Sequence, residues 1–156
     1  MKNIAQNNVK QIAYKRSHFS TRLPVDQMYS PSHFWLKELG DHGVWQIGFT
    51  KFATRMLGEI VECEFDVKQG ELIEAGQVIG WIEGFKAASD LYSVIAGEFG
   101  DINPLVSADA CIIRKDPYRD GWLYSVKGKP DPKCVDVHGY VEFLDRTIDK
   151  MQEDAS

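Results

Sequence analysis

Apolar and polar positions change their rhythm several times along this chain. Through residue 30 no helical or strand period stands out, so the stretch reads as an extended arm or one irregular helix. From His33 the pattern becomes regular. The runs "HFWLKEL" and "GVWQIGF" flank Gly40-Asp41-His42-Gly43, which predicts two strands joined by a hairpin turn. Thr50 is placed to cap a short helix, because Phe52, Ala53, Met56 and Leu57 fall on one face and Gly58 stops it. From Glu59 to about Ile113, short strand-like runs are cut by glycines at positions 70, 76, 97 and 100, a spacing that suggests a sandwich or barrel. "RKDPYRDGWLYSVKG" predicts a proline-initiated turn and one more strand carrying Trp122 and Tyr124, and "KPDPK" breaks it. Val137, Tyr140, Val141, Leu144, Ile148 and Met151 then recur at helical intervals, predicting an amphipathic C-terminal helix docked on its own domain. The expected class is mainly β, divided into an arm (1–30), a central domain (31–128), and a breaker with a packed helix (129–156).

One run within this pattern poses a question of its own. In "IGWIEGFKAASDLYSVIAG" two strand-like arms meet at a polar centre holding a single lysine, Lys86, with Gly76 and Gly97 nearly equidistant on either side. Such symmetry is expected of a tip between mirrored hairpin arms. A lysine there is either a solvated turn residue or a handle for something attached to it.

Composition narrows the choice. The 156 residues suit one domain with appendages, and 44% hydrophobic with 26% charged residues is ordinary for a globular chain. A net charge of −5 argues against a general nucleic-acid binder, since little offsets phosphate repulsion. No apolar run approaches the roughly 20 residues that span a bilayer. Cys63, Cys111 and Cys134 form no C-x-x-C pair, and His18, His33, His42 and His138 lack metal-ligand spacing, so neither a metal site nor a disulfide framework is expected. The first 25 residues contain no acid but carry Lys2, Lys10, Lys15, Arg16 and Arg22, which reads as a basic arm with the composition of a transit peptide. A reducing, cytoplasmic setting fits these features.

The segment "GELIEAGQVIGWIEGFKAASDLYSVIAGEFGDIN" resembles the lipoyl-attachment segment of the glycine cleavage system H-protein family. Glu83, Lys86, Ala87, Ser89, Asp90, Tyr92, Gly97, Glu98 and Asn103 stand where that family's pattern wants them. The family's later D-P-Y-x-x-G-W-L is intact in Asp116-Pro117-Tyr118 and Gly121-Trp122-Leu123, and its early H-x-W is met by His33 and Trp35. The resemblance covers about residues 30 to 127. It implies a hybrid barrel-sandwich (lipoyl-domain-like) fold with lipoic acid joined by an amide to Lys86. It also implies recognition of the attachment loop through Glu83, Gly84, Phe85, Ala87, Ser89 and Asp90.

The chemistry suits a carrier. Acylation removes the lysine's charge and turns it into a long tether, which must stand at an exposed tip to reach several partners. A disulfide prefers a dihedral near 90°. The five-membered dithiolane cannot adopt it, so the cofactor supplies the reactivity and the protein supplies position. No nucleophile–base pair is legible, so no catalytic residue and no metal ligand is expected, and the chain acts as a substrate of other enzymes. The partners implied are a lipoate ligase or lipoyl synthesis enzymes, dihydrolipoamide dehydrogenase, and the enzymes of one lipoyl-dependent system.

Which system is a question of departures from the pattern. E-S-V-K-A reads Glu83-Gly84-Phe85-Lys86-Ala87, H-E-W reads His33-Phe34-Trp35, and P-x-L-V-N reads Ala110 to Arg114. These changes favour the H-like lipoate-binding proteins that serve heterodisulfide-reductase-like complexes in sulfur oxidation, where dihydrolipoyl thiols carry sulfur. The alternative is a glycine cleavage H protein shuttling an aminomethyl group. A biotin carrier shares the fold but needs M-K-M, which Phe85 and Ala87 replace. An unmodified interaction domain is the alternative of another class. Gly84 and Phe85 are expected to select the partner rather than to support the fold.

Overall fold

The computed structural model describes residues 10–155, and residues 1–9 of the arm, Lys2 among them, lie outside the described residues. Eleven strands and four helices are seen among the described residues. The first surprise is the arm. β1 (Gln11–Arg16) and β2 (Phe19–Pro24) form an antiparallel hairpin in the register Arg16↔Phe19 to Gln11↔Pro24, in place of an extended arm or irregular helix. The signal lay in Phe19, Thr21 and Leu23, which alternate inward and are all buried, and a threonine in the apolar series hid the period. The two-residue turn is tight, with Ser17 at φ 57, the left-handed conformation that the twist of a two-residue hairpin favours.

β3 (Met28–Tyr29), β4 (Phe34–Leu39), β5 (Val44–Phe49), β11 (Tyr124–Pro130), β10 (Ile95–Ile102) and β7 (Leu72–Ile73) follow one another across a six-stranded antiparallel sheet. β6 (Ile60–Phe65), β8 (Val78–Gly84) and β9 (Ala88–Tyr92) form a three-stranded sheet. Both sheets contribute to one core in which Leu36, Ile47, Ile79, Ile82, Leu91, Ile95, Phe99 and Val126 are buried. The expected barrel-sandwich is therefore present. Gly97 punctuates it differently from the expectation. It lies inside β10, paired with Gly128 of β11, where the two backbones approach too closely for a side chain; it is not a turn.

The short helix α1 (Lys51–Leu57) begins at Thr50, whose Oγ1 accepts from the Ala53 N–H at 3.4 Å, and ends at Gly58 with φ 76. Its inward face is Phe52, Ala53, Thr54 and Leu57, while Met56 points to solvent. α2 (Pro104–Ala108) and α3 (Ile112–Lys115) bridge β10 to β11, and Trp122 precedes β11 rather than lying within it. The C-terminal helix α4 (Val137–Ala155) buries Val137, Tyr140, Leu144 and Ile148, whereas Met151 stays exposed. A second core joins it to the hairpin: Tyr14, Phe19 and Leu23 meet Tyr29, Trp35, Phe52, Tyr140 and Leu144. Phe34, one of the departures from the family pattern, is buried and stacks on Phe49 at 4.8 Å, so that change belongs to the sandwich interior.

Candidate functional site

Lys86 stands at the end of the β8–β9 hairpin. Its arms pair from Glu83↔Ala88 down to Val78↔Tyr92, with a register irregularity between Val78 and Gly80. The Gly84 N–H closes the tip by donating to the Ala87 carbonyl at 2.8 Å. Lys86 is exposed, as are Glu83, Ala87, Ser89 and Asp90. The site residues read from the sequence are thus brought together around one tip.

The cross-strand partners Glu62↔Glu83↔Ala88 and Glu64↔Trp81↔Asp90 put four carboxylates and Trp81 on the outer face of the three-stranded sheet. Residues directly opposite share a face, and so do those two apart. Crowding there has an electrostatic cost. The Glu62 carboxyl is raised above its usual range by partial desolvation, then by Glu64 and Glu83. Ser89, opposite Ile82, belongs to the other face, and its Oγ donates to the Asp90 carbonyl at 2.9 Å.

Gly84 and Phe85 turn out to do different things. Phe85 is 77% exposed, so it does not tuck into its own sheet. Gly84 lies against the end of α1, where an added Cβ would sit 2.1 Å from the Leu57 carbonyl oxygen. The geometry gives Gly84 a packing role beside its expected part in recognition of the attachment loop.

Three residues that the sequence pattern placed only at the end of the short helix and the start of the next strand complete the site. The Phe85 N–H donates to the Glu59 carbonyl and the Lys86 N–H to the Leu57 carbonyl, both at 2.9 Å. Gly58 lies between those two acceptors, and a Cβ there would meet Lys86 Cγ at 2.9 Å. Nothing in the spacing links positions 57–59 to 84–86, because their meeting is a product of the fold.

Beside this junction lies an open cleft of about 280 Å³ lined by Glu59, Ile60, Cys111, Arg114 and Lys115. Arg114 reaches Glu59 at 3.5 Å, a long ion pair between exposed side chains. None of the three cysteines is disposed toward thiolate chemistry. Burial pushes Cys63 up to about 12 and Cys134 up to about 11, and the Asp109 carboxylate raises Cys111. Among the described residues no group of three His, Cys, Asp or Glu could hold a metal ion, and no helix is long and apolar enough to cross a membrane.

The family described as Glycine cleavage H-protein matches residues 27–143. The glycine cleavage system H protein of Corynebacterium jeikeium is 34% identical over 122 residues, covering 77% of this chain and 95% of that protein. The glycine cleavage system H protein of Bacteroides fragilis is 38% identical over 122 residues, covering 75% and 93%. A crystal structure of the H protein from Mycobacterium marinum superposes with a TM-score of 0.70 at 29% identity, covering 77% of this chain and 97% of that one. The chain therefore belongs to the glycine cleavage H-protein family, whose members carry lipoic acid on a lysine and are substrates of partner enzymes rather than enzymes.

Proposed function

We propose that Lys86 is the lipoylated lysine and that the chain shuttles an aminomethyl group among the enzymes of glycine cleavage. The observation that carries the attachment site is the position of Lys86. It is exposed, at the end of a hairpin closed by Gly84 and Ala87, within the Glu83-to-Asp90 segment that resembles the family's attachment motif. The relatives compared above are named glycine cleavage system H proteins, which supports the aminomethyl cargo over sulfur. In this reading residues 31–128 are the carrier unit. Glu83, Phe85, Ala87, Ser89 and Asp90 meet the ligase and the partners, a dihydrolipoamide dehydrogenase reoxidises the arm, and the setting is cytoplasmic. The protein's own task is to hold the tether's root still and clear of the sheet. The strained dithiolane supplies the chemistry.

A Lys86→Arg variant purified from a lipoylating host should lack the lipoyl mass that the parent carries. If the variant keeps that mass, Lys86 is not the attachment point. Cargo is tested by adding glycine decarboxylase and glycine to the lipoylated parent, with the aminomethylated mass as the expected product.

The cleft beside the tip favours one other reading, a carrier of sulfur for a heterodisulfide-reductase-like complex. Arg114 stands where the family pattern has asparagine, and with Lys115 it offers positive charge next to Glu59. That suits an anionic sulfur cargo better than a cationic amine. Failure of the glycine decarboxylase reaction, together with loading of the lipoyl thiols by a persulfide donor, would select it.

A further inference from the structure

A two-residue hairpin loop matches the twist of its strands when its residues take positive φ, as Ser17 does in the β1–β2 turn. The tip of the β8–β9 hairpin is built differently: its last strand pair is Glu83↔Ala88, which leaves Gly84 to Ala87 between the paired residues. Among the described residues only Ser17 and His33 are non-glycine residues at positive φ, and Gly84 is not among the positive-φ glycines. The tip carries one hydrogen bond of its own, from the Gly84 N–H to the Ala87 carbonyl, and the Phe85 and Lys86 N–H groups are held from outside the hairpin.

The junction between α1 and β6 is placed to do so. Carbonyls of Leu57 and Glu59, on either side of Gly58, accept from Lys86 and Phe85 at 2.9 Å each. The two backbones meet at glycines on both sides. Gly84 lies under the Leu57 carbonyl, and Gly58 at φ 76 leaves room for the root of the Lys86 side chain. α1 anchors the junction through the buried Phe52, Ala53 and Leu57.

We infer that Leu57-Gly58-Glu59 is a positioning element that fixes the direction in which Lys86 leaves the tip, and that Gly58 is its key residue for acylation. The inference rests on Lys86 being the acylated lysine. A reaction that needs an amine aligned with an acyl donor is sensitive to displacement of the order of 1 Å, which can cost on the order of 100-fold in rate.

The test uses the unmodified full chain with lipoate, ATP and a lipoate–protein ligase, following the lipoyl mass at temperatures where circular dichroism shows each variant folded. Gly58→Ala adds a methyl group against Lys86 and also strains a positive φ. Gly70→Ala is the control for strain alone, since Gly70 has φ 92 with nothing within 4 Å of an added Cβ. The expected result is a kcat at least tenfold lower for Gly58→Ala with KM for the carrier within twofold of the parent, and no change for Gly70→Ala.

Equal kcat for the two variants overturns the inference. So does a raised KM at unchanged kcat, which would make the junction a contact for the ligase instead. Amide exchange in the parent gives a reading independent of any variant. The Phe85 and Lys86 amides should exchange at least 100-fold slower than free peptide amides, and exchange at the free rate overturns the inference even if Gly58→Ala fails to fold. Lys86→Arg keeps the two questions apart. Lipoylation of that variant defeats the attachment site, whereas slow lipoylation of Gly58→Ala leaves the attachment site intact.

Discussion

His33 shows how much one residue can be asked to do. Its φ is 71, its Nδ1 lies 2.8 Å from the Tyr140 hydroxyl, and its ring packs 4.6 Å from Phe52 and 5.6 Å from Phe143. Desolvation lowers its pKa to about 4. The unfolded chain takes up this proton near pH 6.5, while the folded protein resists it. The stabilising contribution is therefore present above pH 6.5 and lost as pH falls toward 4, amounting to at most about 3 kcal/mol at 1.36 kcal/mol per unit. Asp149 and Asp109, whose carboxyls are held low by Arg16 and by hydrogen bonds from Cys111 respectively, lose their contributions only below pH 3.8, in a separate window. Asparagine tolerates positive φ. Urea unfolding of His33→Asn at pH 7 and pH 4.5 should thus show a weaker pH dependence than the parent, although the variant is less stable overall.

The two residues at the tip invite a paired test at this same scale. Gly84→Ala forces a methyl group toward the Leu57 carbonyl and should cost about 1–3 kcal/mol. Phe85→Ala removes an exposed ring and should change stability by less than about 0.5 kcal/mol while slowing loading by partner enzymes. Thermal melts of both, with loading assays on the second, check the pair.

Among the elements, the hairpin β1–β2 and helix α4 depend on each other. The Tyr14 hydroxyl donates to Asp145 Oδ1 at 2.8 Å, and Arg16 grips Asp149 with two 2.8 Å hydrogen bonds in the fork geometry of guanidinium and carboxylate. Their visibility and their energetic weight differ. The Arg16–Asp149 pair is solvent-exposed, so Arg16→Ala should cost little, and less still in high salt. Leu144, fully buried between hairpin and sandwich, should cost about 2–5 kcal/mol when changed to alanine. Denaturant midpoints of the two variants order them, and a larger loss for Arg16→Ala would contradict the assignment of the clasp to apolar burial.

On the scale of the whole molecule, the family match begins at residue 27 and ends at residue 143. The hairpin and the last turns of α4 lie outside it, and they pack on one another. They form a clasp added to the carrier domain, covering Trp35 and Phe52 on the outside of the sandwich. Removing residues 1–24 should expose part of this apolar surface. It should lower the melting temperature and the helical signal at 222 nm and raise binding of a hydrophobic dye, with the β-sandwich retained. A truncated chain that melts like the parent would mean that α4 needs no clasp.

By itself the sequence determined the strands on either side of Gly40, the capped helix after Thr50, the amphipathic α4 stripe and the candidacy of Lys86. Each of these follows from local period, capping or a short motif, which depend on neighbours along the chain. The tertiary structure alone decided the burial of Phe34, the role of Gly84, and the arm's conversion into a hairpin against α4. It alone brought Leu57, Gly58 and Glu59 under the Lys86 tip. Those outcomes depend on backbone approach between segments far apart in sequence. A position that meets its neighbour only across space, as Gly58 meets Lys86, leaves no periodic trace in the residues around it.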